Sequence, residues 1–106
     1  IDSHADHRVC SSLVYDAWRR LGYNFELYYF EVMSGMQSQL FQPTDYVNIS
    51  SVANQKREAC NCHTSQDMEA VYEWHDLMER FRGIEFGCKA AEAFIHLQKN
   101  KNDLFV

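Results

Sequence analysis

A chain of 106 residues fits one domain, and its 46% hydrophobic and 14% aromatic content is too rich for disorder. Ten Lys and Arg against fifteen Asp and Glu leave a net charge of -5, which argues against the basic face that nucleic-acid binders present to phosphates, and equally against an anionic membrane surface. No apolar run approaches the ~20 residues that cross a bilayer, so membrane insertion is not expected.

One proline and four glycines leave few breakers, which favours long helices over a turn-rich β fold. Residues 1–7 are polar and read as a loose lead-in. From Arg8 a helical period takes over: Cys10, Val14, Ala17, Leu21, Phe25, Tyr28, Val32 and Met36 recur at three- and four-residue steps. This predicts helix over 8–40, with Gly22 as a point where it can break. A strand reading of 23–33 fails on parity, because Glu31 would share a face with Phe25, Leu27 and Tyr29.

Pro43 ends that segment. Thr44 or Asp45 can cap a second helix over 44–58. After the junction Ala59-Cys60-Asn61-Cys62-His63, Thr64 or Ser65 with Asp67 and Glu69 makes a helix start. Ala70, Trp74, Leu77, Phe81, Ile84, Cys88, Ala91 and Ile95 then share one face, which predicts helix over 65–98. The tail 100–106 reads as loose. The expected fold is a single all-α domain over 1–106, a small bundle of four or five helices.

Four cysteines, Cys10, Cys60, Cys62 and Cys88, form an even set in a short chain, the arithmetic of a two-disulfide framework. A Cys60–Cys62 bridge would close too small a ring, leaving Cys10 and Cys88 each tied to one of that pair, in either of two arrangements. The bridges would staple a central loop to both main helices. A first residue Ile1 in place of Met fits removal of a signal peptide, and Asn48-Ile49-Ser50 is an acceptor sequon for glycosylation at Asn48. Together these features predict a secreted protein.

Searching for chemistry yields little. Cys60, Cys62 and His63 could be joined by Cys88, His75 or Cys10 around zinc, as in an intracellular zinc-stabilised module, but no second Cys pair of zinc-site spacing follows. His75 and Asp76 are adjacent, so on a helix they point about 100° apart and cannot form an oriented dyad. Asp76 and Arg80 read as a surface pair. No glycine-flanked serine or phosphate-cradling loop is present. No catalytic residue, metal ligand or cofactor is assigned.

What exceeds a plain core is the aromatic surplus around Tyr23 to Met33. Tyr15, Trp18, Tyr29 and Trp74 form a candidate recognition patch for another protein, since such side chains dominate binding hot spots. The working expectation is therefore a secreted, non-enzymatic protein binder: a signalling ligand, recognition factor or inhibitor whose partner is a receptor or target protein. The alternative is an extracellular carrier of a small hydrophobic ligand, with Phe25, Tyr28, Met33, Met36, Met68 and Met78 lining a cavity.

Overall fold

The computed structural model describes residues 1–99. Among these it has three helices and a three-stranded antiparallel sheet, so the expected all-α bundle of four or five helices does not form. The expectation of a loose tail at 100–106 lies outside the described residues. The described chain divides into two compact units, one made of Ile1–Thr44 with residues 94–99, the other of Asp45–Ala93.

In the first unit, helix α1 (Ala5–Arg20) starts inside the segment expected to be a loose lead-in. His4 caps it through Nδ1, which accepts from the Asp6 N–H, while Asp6 and Arg19–Arg20 complement the helix dipole at its two ends. Residues before the helix are tied down. Asp2 bridges to Ser38, the Gln39 N–H donates to the Ile1 carbonyl at 2.7 Å, and Arg8 donates to the Asp2 and Ser3 carbonyls.

Past the Leu21 C-cap the backbone enters the left-handed region at Gly22 (φ 69) and stays there at Tyr23 (φ 58), so the helix ends at the glycine where a break was expected. The aromatic run then continues as strand β1 (Tyr28–Phe30) rather than as helix. The parity objection assumed a strand of eleven residues. A strand of three leaves Glu31 outside it, in a turn where Ser34 donates to its carboxylate.

The second unit opens with strand β2 (Asp45–Asn48), followed by helices α2 (Ala53–Asn61) and α3 (Met68–Phe86). Asp67 caps α3 by accepting from the Ala70 N–H, close to the expected start. Helix α3 stops at Gly87, which adopts the left-handed C-cap conformation (φ 88) that glycine takes without a Cβ penalty. The stretch expected to be its last turns is instead strand β3 (Ala91–His96). The sheet order is β1-β3-β2, with Tyr28 opposite His96, Tyr29 opposite Ile95 and Phe30 opposite Phe94.

The two expected disulfides are absent: Cys10, Cys60, Cys62 and Cys88 are all free thiols. The elements explain this. Cys10 lies on an exposed part of α1, whereas Cys60 and Cys62 occupy the last turn and C-cap of α2. The Cys62 thiol turns to the Glu58 carbonyl of its own helix, and the Cys88 thiol to the Ala90 carbonyl two residues on. The argument for an extracellular protein that rested on these bridges lapses with them.

Candidate functional site

Three of the four aromatic residues expected to form a recognition patch build the core of the first unit. Trp18 is 1% exposed, packs edge-to-face on Tyr23 at 4.7 Å, and its indole N–H donates to the Phe25 carbonyl at 2.8 Å. Tyr15 and Tyr29 are half-buried against this cluster, with Leu27 and Leu97. Burial, reinforced by Tyr15, pushes the Tyr29 phenol above its usual range. A tryptophan this enclosed fills the volume of the unit's core.

The fourth residue, Trp74, is 53% exposed on α3, and it has company. Leu77, Phe81 and Ile84 are 50%, 54% and 78% exposed along the same edge. The periodic face seen in the sequence is real, but this part of it points outward. Residues 74, 77, 81 and 84 follow a 3-4-3 spacing that keeps them on one stripe.

What α3 buries is largely polar: Tyr72, Glu79, Arg82 and Gly83. Glu79, 3% exposed, receives Lys56 Nζ of α2 at 2.5 Å, and Lys56 also meets Glu92 at 2.6 Å. The Tyr72 hydroxyl donates to the other Glu79 oxygen at 3.4 Å, and the Arg57 guanidinium lies over the Tyr72 ring. Burial works against the Lys56 charge, yet the hydrogen bonds and charges of Glu79 and Glu92 outweigh it and raise its pKa. Lys56 is therefore a cationic clamp at neutral pH, without the free amine a nucleophile needs. Arg82 pairs with Glu85 at 2.9 Å, and the Tyr46 hydroxyl donates to the same carboxylate at 2.6 Å.

The inward face of α3 is thus held by ion pairs, which frees its apolar edge from the core. Sequence reasoning found the stripe and placed Trp74 in a recognition patch, but it did not separate the outward residues of the stripe from those that face the core. The missed signal was a second face carrying Tyr72, Glu79 and Arg82 at 3.6-residue spacing, with Lys56 available as counter-ion.

Asn48 sits exposed at the end of β2, and its side-chain oxygen accepts from the Ser50 N–H at 3.0 Å. Asp76 and Arg80 form the expected surface pair at 2.9 Å. Among the described residues no three His, Cys, Asp or Glu side chains converge on a point that could hold a metal, so Cys60, Cys62 and His63 gain no further ligand. Beside α2 and the start of α3 lies an open depression of about 320 Å³. Arg57, Asn61, His63, Gln66 and Glu69 line it along with Met68, a polar wall unsuited to a hydrophobic guest. Among the described residues no helix is long and apolar enough to cross a membrane. Comparison with protein-family models, curated proteins and solved structures finds no match to this chain.

Proposed function

We propose that this chain is a non-enzymatic protein-binding domain that docks through the outward edge of α3. One observation carries the reading: α3 turns Glu79 and Arg82 inward and leaves Trp74, Leu77, Phe81 and Ile84 in water. Each of these side chains forgoes roughly 1 kcal/mol or more of burial. A contiguous exposed stripe of this kind marks an interaction surface, and tryptophan is among the side chains most enriched in binding hot spots. The inner ion-pair network supports the reading too, since it fixes α3 rigidly before any partner arrives and so lowers the entropic cost of docking.

Site-specific photo-cross-linking tests this. A cross-linker at Leu77 is expected to trap a protein identifiable by mass spectrometry, and one at Ser12, exposed on α1, is not. Equal labelling from both positions, or none from Leu77, counts against the docking surface.

A further inference from the structure

We infer that the occupant of the α3 edge is a second copy of this chain, the two α3 helices lying parallel and in register. This rests on the docking surface proposed above and names its partner. The stripe has the spacing of a heptad seam: Trp74 and Phe81 at one core position, Ala70, Leu77 and Ile84 at the other. All five are exposed. The residues α3 buries, Tyr72, Glu79, Arg82 and Gly83, fall on the opposite face of the same heptad, so two copies can meet without disturbing either interior.

The positions flanking the seam decide the orientation. Arg80 precedes the core residue Phe81, and Glu85 follows the core residue Ile84; both are exposed. In a parallel pair, a residue at the first kind of position faces the partner residue five further along, which sets Arg80 against Glu85 of the second copy, twice by symmetry. An antiparallel pair centred on the stripe would set Arg80 against Arg80 of the second copy, like charge on like. Arg80 already holds Asp76 at 2.9 Å and Glu85 already accepts from Arg82 and the Tyr46 hydroxyl, but the guanidinium keeps donors and the carboxylate a lone-pair site for the contact between copies. The four large side chains, each at least half exposed, can bury on the order of 1,000 Å² across both copies, near the lower limit of specific interfaces. An interface of that size suits a reversible dimer rather than an obligate one.

Sedimentation equilibrium of the 106-residue chain under reducing conditions, from about 1 to 500 µM, tests this. The expected result is a concentration-dependent shift from monomer to dimer. Leu77→Asp with Phe81→Asp stays monomeric throughout, with unchanged far-ultraviolet circular dichroism. Arg80→Ala, which leaves the seam intact, weakens association about threefold or more. A wild-type chain that remains monomeric overturns the inference, as does a double variant that still dimerises. Tighter association in Arg80→Ala also overturns it, because relief of an Arg80–Arg80 clash means an antiparallel pair. If the monomeric chain still cross-links from Leu77 to a different protein, self-association fails while the docking surface stands.

Discussion

Lys56 is the residue on which the second unit's polar interior turns. It bridges Glu79 and Glu92, and Glu79 has almost no access to water. Removing the cation leaves a buried carboxylate without its counter-ion, which is far more costly than losing a surface pair. Lys56→Met is expected to lower unfolding free energy by about 3 kcal/mol, read from urea denaturation at neutral pH. A second expectation concerns alkaline pH. Lys56, Tyr29 and Tyr72 all hold their protons more tightly in the folded chain than at their ordinary values of 10.5, 10.0 and 10.0. Each therefore contributes stability that is complete below about pH 10 and is lost as pH rises through the raised folded value. The urea midpoint should fall between pH 9 and 12, and Lys56→Met should show a shallower fall than wild type.

At the scale of elements, α3 is the best guide to what a sequence can reveal. Its 3.6-residue period and the neighbourhood of its start were legible, because capping and amphipathicity are local properties, although the cap is Asp67 and not the expected Thr64 or Ser65. The direction in which the apolar stripe faces was not, since that depends on Lys56 reaching Glu79 from 23 residues away. The strands were missed for a different reason. Three, four and six residues are too few to establish a period of two, and Tyr28–Phe30 sits inside a longer run that also fits a helical spacing.

Gly83 shows how the end of α3 and the start of β3 constrain each other. A Cβ at this position would lie 2.6 Å from the Cys88 carbonyl oxygen and 2.9 Å from backbone atoms of Lys89. The chain returning from Gly87 passes directly over it, and backbone cannot yield as a side-chain tip can. Gly83→Ala is expected to cost about 1–3 kcal/mol despite alanine's higher helix propensity, measurable as a lower urea midpoint. A stabilised variant would mean that this return path is wrong.

For the molecule as a whole, the cysteines are where sequence arithmetic misled most. An even count in a short chain suggested two bridges, but spacing alone says nothing of where α1, α2 and the Gly87 turn place each sulfur. With four free thiols, a reductant should leave the thermal midpoint unchanged, and all four should react with a thiol reagent in denaturant without prior reduction. The aromatic residues show the same division. Their abundance was legible, yet of the two tryptophans expected in the recognition patch Trp18 is core and Trp74 is surface.

Acrylamide quenching of those two tryptophans at sub-micromolar protein tests the inverted face of α3 most directly. In the wild-type chain one indole should quench readily and the other hardly at all, and Trp74→Phe should abolish the readily quenched fraction alone. If the emission lost in Trp74→Phe comes from a protected indole, α3 carries its apolar edge inside and the docking surface does not exist.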